Sequence, residues 1–452
     1  MPSDRRRRAA GVARRLARTA FGAAIILSPF RAGILLAARP QPPIYTGYTD
    51  FVAAWSEVAV VAALALWGTS IVVDPRPIAL PRPSFLRWPA AALLVLAVAS
   101  ASWSIDPALS VFNAGEIVVM ACLAVYVLNE VDSLEGLVVP LAAMVAVQAV
   151  VGIGQVLVQR SVGLAALGEL VLDPARKGVS VVATSAADRL LRAYGLTEHP
   201  NILGGLLVFA LLLLGAGLLG ARQRTRMAGS VVLVAGLCAL VLTFSRAAWL
   251  ALAAGLLVAP ALQAYRRDWR AARRWAGAGL AGATLAGLMA LPFAPYLGAR
   301  VSIGNATADT EIMSTGERAI LIGATGALVA AHPLGGTGLA TLPLAISRAN
   351  PGLTFDDQPA SVVVLDVAAE LGVFAALCYG SMLLAPMVAL WRLRGRWTPS
   401  LIAASAALVA SGVVGLFDYY TWTFAAGRIW AWLLLGLWAG MYAKASGTHA
   451  AA

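Results

Sequence analysis

The chain has 452 residues, of which 60% are hydrophobic and 12% charged, and its mean hydropathy is +0.80. A soluble domain carries roughly twice that charged fraction, so composition excludes a soluble protein and makes lipid the natural solvent. The net charge of +12 does not indicate nucleic acid, because the arginines stand in short clusters between apolar spans and form no stripe along an amphipathic face.

The N-terminus resembles a secretory signal, with Arg5 to Arg8, Arg14, Arg15 and Arg18 ahead of an apolar run. Many further spans follow, so it is expected to remain as an uncleaved first helix. With ~20 apolar residues per crossing, spans are expected near residues 19–38, 51–73, 88–103, 109–128, 137–158, 201–219, 228–244, 247–264, 276–297, 361–390, 400–417 and 424–443. The fold class is therefore all-α, a polytopic membrane protein with about 12 transmembrane helices and a helical extracytoplasmic loop subdomain. Three regions are expected: residues 1–200, with an outer loop at 159–200; residues 201–390, with an outer loop at 296–360; and a C-terminal pair of spans with a tail at 391–452.

Alternate loops carry Arg76, Arg82 and Arg87, then Arg222, Arg224 and Arg226, then Arg266, Arg267, Arg270, Arg273 and Arg274, then Arg392, Arg394 and Arg396. The positive-inside rule puts these loops and both termini in the cytoplasm. Facing outward are residues 159–201 and 296–360 and short turns at 103–107, 244–246 and 418–423. The larger outer segment holds an apolar helical stretch, residues 318–331, stopped by His332-Pro333-Leu334-Gly335-Gly336-Thr337-Gly338, where Pro and Gly end a helix and permit a tight turn. Cys122, Cys238 and Cys378 lie inside apolar spans without CxxC spacing, which points to neither a disulfide framework nor a zinc site.

Arginines on the outer side run against the positive-inside bias and need a reason. Arg192 precedes Ala193-Tyr194-Gly195 and then Glu198-His199-Pro200-Asn201 at the mouth of a span; Arg246 ends Thr243-Phe244-Ser245-Arg246 at a short turn; Arg318 follows Ser314-Thr315-Gly316-Glu317. Three guanidiniums from distant segments could converge on a phosphate or diphosphate, whose oxygens match the planar donor fork of Arg. The bland reading pairs each with an acid such as Glu198, Glu317 or Asp418, or lets it snorkel to headgroups.

In the same order and at the same outer span ends, the sequence carries Arg192-x-x-Gly195 with His199-Pro200-Asn201, Thr243-x-Ser245-Arg246, Ser314-x-x-x-Arg318 and His332-Pro333-x-Gly335-x-x-Gly338. Ala369-Glu370-Leu371-Gly372 and Gly415-Leu416-Phe417-Asp418-Tyr419-Tyr420-Thr421-Trp422-Thr423 follow. In these pieces, over roughly residues 191–430, the chain resembles the O-antigen ligase and O-antigen polymerase superfamily. The resemblance implies an inverting, metal-independent glycosyltransferase of the bacterial inner membrane that needs no cofactor. Such an enzyme moves a glycan from undecaprenyl diphosphate to a glycan or lipid acceptor on the outer face. Arg192, Arg246 and Arg318 would stabilise the departing diphosphate, with Asp356 beside them. His199, Asn201, Ser245, Ser314, Ser361, Asp418 and Tyr420 would line the substrate site, and membrane lipids would be the other partners.

The chain departs from the family at one place. Members usually carry a His-Asn pair eleven and ten residues before the Gly of the Ala-Glu-x-Gly element, with the His proposed to activate the acceptor hydroxyl; here those positions are Ser361 and Val362. Serine is no general base near neutral pH without help. Three explanations stay open, in this order: a substitute base such as Asp356, Asp357, His199 or Glu198; catalysis by alignment and leaving-group stabilisation; or a member that has lost transferase activity.

Each remaining candidate has a structural alternative. His332 reads as a helix-end residue; His-Pro-Asn at 199–201 reads as a helix start with Asn capping; His449 lies in a terminal tail. Asp366 and Glu370 share a helical face. The aromatics of 418–423 suit sugar stacking or an interfacial belt, although the belt does not explain Asp418. Two further classes of function remain, a flippase for lipid-linked sugars, which would show inverted repeats and broken helices, and a non-catalytic binding protein.

Overall fold

A computed structural model describes residues 4–80, 84–184, 188–301, 309–351, 358–393 and 395–447, apart from the side chains at 84, 278, 301 and 309–315. The chain is helical almost throughout: α1 (Asp4–Leu27), α2 (Trp55–Val73), α3 (Ser84–Ala99), α4 (Pro107–Glu130), α5 (Val138–Val158), α6 (Pro200–Gly220), α7 (Gln223–Leu242), α8 (Arg246–Tyr265) and α9 (Trp269–Ala290). It continues through α10 (Ala294–Val301), α11 (Asp309–Ala331), α12 (Leu342–Ala349), α13 (Val363–Leu371), α14 (Val373–Arg392), α15 (Pro399–Gly415), α16 (Tyr420–Thr423) and α17 (Ala425–Ala445). Among the described residues nine helical segments are long and apolar enough to cross a membrane. The fold is an all-α polytopic membrane protein, as the hydropathy pattern leads one to expect.

Three details differ from that pattern. The first expected span, residues 19–38, is not one helix: α1 stops at Leu27, and Gly33–Ala37 is a strand, β1, paired antiparallel with β2 (Phe51–Ala54). Apolar residues at 33–37 alternate as well in a hairpin as in a helix, and hydropathy alone cannot separate the two. The expected span at 361–390 is broken at Gly372, whose φ of +89° ends α13 and begins α14. In the larger outer segment the helix α11 begins nine residues before the expected stretch. The other outer segment holds a small hairpin, β3 (Val181–Ala183) with β4 (Arg189–Leu191).

One apolar core runs from Ala17 to Met441, with α6 at its centre, buried along nearly its whole length. Its glycines let neighbours in: a Cβ on Gly204 would stand 2.8 Å from that of Ala248 in α8, and one on Gly205 would collide with the Tyr420 hydroxyl. Small residues are the usual means of close approach between membrane helices.

The Pro-Gly turn after α11 locks onto the break at Gly372. Thr337 N donates to Ala369 O and Gly338 N to Glu370 O, both at 2.9 Å, and Val373 N donates to Pro333 O at 2.9 Å. Gly336 sits at φ +64°, where a Cβ would lie 2.3 Å from the Glu370 carbonyl carbon. Two sequence pieces more than thirty residues apart, His332 to Gly338 and Ala369 to Gly372, are thus one structural unit that closes the end of the bundle where α4, α6 and α8 begin.

Candidate active site

Three turns meet at this end, two presenting an arginine and the third a carboxylate. The first is the loop from Arg192 to His199, which α5 holds by two buried amides. Gln155 Oε1 accepts from Tyr194 N and Gly195 N, at 3.1 and 2.8 Å, and Gln148 Oε1 accepts from Leu196 N at 2.9 Å. Gly195 needs its φ of +58° and its missing Cβ, because one there would stand 2.3 Å from that Gln148 oxygen.

The second turn joins α7 to α8. Phe244 is fully buried and takes a φ of +48°, a left-handed conformation that is uncommon for a bulky residue. Its effect is to turn two successive carbonyls toward guanidiniums: Arg192 Nε donates to Thr243 O at 2.7 Å and Arg300 Nε to Phe244 O at 3.0 Å. Ser245 then caps α8 by accepting from Ala248 N at 3.4 Å, so that Arg246 is the first residue of the helix. The Arg246 guanidinium reaches back to Arg300 O at 3.4 Å. Ser245 therefore positions Arg246 from inside the protein, where it is 1% exposed.

The third turn is 416–419, where Asp418 is 7% exposed. Arg192 donates to Asn201 Oδ1 at 2.6 Å, and Asn201 Nδ2 donates to Asp418 Oδ2 at 3.0 Å. Asn201 thus relays between the guanidinium and the carboxylate and does not cap α6. The cap is His199, whose Nδ1 accepts from Asn201 N at 3.2 Å, with Pro200 as the first helical residue. With Nδ1 accepting, the neutral ring carries its proton on Nε2, which lies 2.8 Å from Ser180 Oγ. Both nitrogens are engaged, which leaves His199 badly placed to serve as a base.

Arg318, on α11, completes the group. Its charge acts on Arg192, His199, Arg246, Arg300 and Asp418. Burial, with the charges of Arg318 and Arg246 against it, brings the Arg192 pKa down to about 10. Burial and the charges of Arg192, Arg318 and Arg300 hold His199 well below the usual imidazole value, so the ring is neutral at physiological pH. Burial also pushes the Asp418 carboxyl up, although Arg318 and Asn201 oppose it.

The structure brings together Arg192, Arg246, Arg318, His199, Asn201, Ser245 and Asp418 from the residues read in the sequence. Tyr420 is elsewhere: it is 1% exposed and packs against Gly205 within the bundle core. Ser361 is buried at a φ of +61°, next to Ala360, whose N–H donates to Asp366 Oδ1 at 2.8 Å. Asp356 and Asp357 and the side chain of Ser314 lie outside the described residues. Arg300 was missed. The signal was present, since it sits in an expected outer segment just past a span and is as much an exception to the charge rule as the other three. Among the described residues no three His, Cys, Asp or Glu side chains are grouped as a metal ion would require.

The arrangement can bind an anion. Four guanidiniums from separate segments between residues 192 and 318 act on one another electrostatically, and Arg192 is held by neutral oxygens of Thr243 and Asn201. Residues 231–380 match the O-antigen ligase family model. The match covers Arg246, Arg300 and Arg318, together with the turn after α11 and the break at Gly372. No curated protein matches the chain.

Proposed function

We propose that this chain, which carries an O-antigen ligase domain and has a role in membrane glycan transfer, moves a glycan from undecaprenyl diphosphate to an acceptor on the outer face of the bacterial inner membrane. Both termini would then be cytoplasmic, as the arginine-rich loops at the far end of the bundle require. The observation that carries the reading is the convergence of Arg192, Arg246, Arg300 and Arg318 at one end of the bundle. In glycan transfer the acceptor oxygen displaces a diphosphate at the anomeric carbon, with inversion. Negative charge grows on the leaving oxygen, and fixed donors in a site of low dielectric are worth most where charge develops. Guanidiniums positioned before the reaction supply those donors without a metal ion. Asp418 and Asn201 would fix the Arg192 fork, and Ser245 would fix the start of α8 beneath Arg246.

The test is turnover. Purified protein in liposomes should release undecaprenyl diphosphate from the lipid-linked glycan extracted from its own cells as glycan appears on the acceptor. Arg246→Ala and Arg318→Ala should each slow this ~10²–10³-fold while leaving thermal unfolding unchanged; unimpaired turnover in both would sink the proposal. A transporter reading is favoured by one observation, the break of an expected span at Gly372. The same assay separates the two, because a transporter would move the lipid-linked glycan intact and release no undecaprenyl diphosphate.

A further inference from the structure

Beside the arginines lies a second site of opposite character. A cavity of about 520 Å³ opens between the α1–α2 connection, the start of α4 and the segment that begins α17. Its wall includes Asp50, Glu116, Glu198 and Glu370, with Arg31 the one arginine among the described lining residues. Glu116 is paired with Arg428 and Glu370 accepts from Trp422 Nε1 at 2.8 Å, which leaves Asp50 and Glu198 as the acids nearest the α1–α2 connection. Aromatic rings share that wall, among them Phe112, stacked on Phe51 with centroids 4.5 Å apart, and Tyr48, stacked on Phe424 at 5.6 Å. Ser56 also lines it, 1% exposed, with an Oγ that has no hydrogen-bond partner among the described residues. A buried hydroxyl without a partner loses the hydrogen bonds it made to water, which a polar ligand restores.

The chemistry selects the occupant. Carboxylates repel a diphosphate and accept hydrogen bonds from hydroxyls; aromatic faces cover the apolar faces of sugar rings. The volume falls within the range of sites for small organic ligands, ~300–1,000 Å³. The cavity also shares a wall with the arginine group. Tyr48 OH and Tyr419 OH are 2.8 Å apart, and Tyr419 N donates to Asp418 Oδ1 at 2.9 Å. Glu198 stands on the cavity side of that wall, immediately before His199, its Oε2 accepting from Tyr45 OH at 3.2 Å and its Oε1 3.4 Å from Arg31 Nε.

We infer that this cavity seats an uncharged, hydroxyl-rich glycan acceptor, and that Glu198 takes the proton from the hydroxyl that attacks the donor held by the arginines. The inference rests on the transferase reading above and adds where the second substrate sits and which group replaces the missing imidazole. The acceptor oxygen forms a bond to the anomeric carbon as the bond from that carbon to the diphosphate oxygen breaks; the electron pair leaves with the diphosphate, and the hydroxyl proton passes to the Glu198 carboxylate and then to water. Burial raises the Glu198 pKa against the pull of Arg31, which strengthens it as a base.

Two arms test this on the full-length protein in nanodiscs. In the first, free oligosaccharide released by mild acid from the cells' lipid-linked glycan is the probe, and its binding should slow hydrogen exchange at residues 45–48 and 165–168. Ala166→Trp, at an exposed lining position, should weaken that binding at least tenfold. Absence of protection in the parent, or equal binding by the variant, overturns the acceptor site. In the second arm Glu198→Gln should lower kcat at least 100-fold, the contribution of a general base being ~10²–10⁴. Acceptor KM should stay within twofold, the acid limb of the pH profile should vanish, and Glu198→Asp should restore part of the rate. Unchanged kcat in Glu198→Gln overturns the base. Undecaprenyl diphosphate binding, measured alongside, should be equal in the parent, Ala166→Trp and Glu198→Gln. If Arg318→Ala also binds it normally, the arginine reading fails and the oligosaccharide arm is untouched.

Discussion

Arginine gathers at both ends of this bundle and is satisfied differently at each. At the end with the N-terminal helix, Arg14 and Arg18 contact the carboxylate of Glu130 at 2.6 and 3.2 Å, and Trp67 Nε1 donates to the same group at 3.0 Å. Two guanidiniums there share one carboxylate, and both keep much of their side-chain surface, 29% and 55%, in contact with solvent. At the other end Arg192 is buried, bonded to a carbonyl and an amide oxygen, and faces the repulsion of Arg246 and Arg318. An ion pair is complete without a ligand. Arg192 also feels the Asp418 carboxylate through Asn201, yet its fork is held by neutral oxygens and it is repelled by two arginines, a repulsion that an arriving anion relieves, which is how a fixed anion site differs from a structural pair.

The largest effect that separates the two ends is on rate. Arg318→Ala should lower kcat/KM for transfer by 10²–10³, about 3–4 kcal/mol, the usual loss when one fixed donor to a developing oxyanion is removed. Arg14→Ala should stay within twofold in the same liposome assay. Arg318→Lys should rescue little, since an ammonium has no planar fork. Next comes stabilisation by ligand. Undecaprenyl diphosphate at a hundred times its Kd should stabilise the folded protein by about 2.7 kcal/mol, read as a rise in Tm. Arg318→Ala should lose that rise and Arg14→Ala should keep it. Equal rises in both would place the binding somewhere other than the arginine group.

A smaller effect tests the opposite end. Glu130→Gln removes the charge that Arg14 and Arg18 share while keeping an acceptor for Trp67, and should destabilise by about 1–2 kcal/mol, the cost of disrupting a buried hydrogen-bonded group. Transfer, corrected for folded protein, should not change. If Glu130→Gln instead lost activity at full stability, the contrast between a structural end and a working end would be wrong.

What the sequence made legible follows from which forces are local. Apolar length is a local property, so α2, α4, α5, α6 and α8 fall near the expected spans. Charge placement is read almost as directly, because an arginine at the wrong end of a span breaks a strong bias; this is how Arg192, Arg246 and Arg318 stand out. Pairings over long separations were not legible. Nothing near Gly33 in the sequence announces that residues 33–37 pair with 51–54 and make a hairpin where a helix was expected. The burial of Tyr420 depends on Gly205, more than two hundred positions away. The Asn201 relay needed Arg192 and Asp418 to be brought to the same place, and the acidic cavity assembles residues from Ser28 to Ala426.

The smallest prediction concerns His199, which belongs to the working end by position and to the structural class by its bonds. Its ring is held well below the usual imidazole pKa by burial and three arginines. Above pH ~6.5 both folded and unfolded chains keep it neutral, and it contributes nothing to pH dependence. Below that value the unfolded chain binds a proton that the folded chain refuses, so stability falls as the medium is acidified, by up to about 1.4 kcal/mol per pH unit. Glu198 and Asp418, whose carboxyls are raised, contribute in the reverse sense, with stability present at low pH and lost as pH rises through their folded values. The effect of His199 must therefore be read as a difference. Asn is a strong helix cap that does not titrate, so His199→Asn should match the parent in Tm at pH 8 and exceed it increasingly from pH 6.5 down to pH 5. Parallel curves would mean that the ring charges as readily inside the protein as outside. The arginines would then lie too far from it to form the group from which the anion site is built.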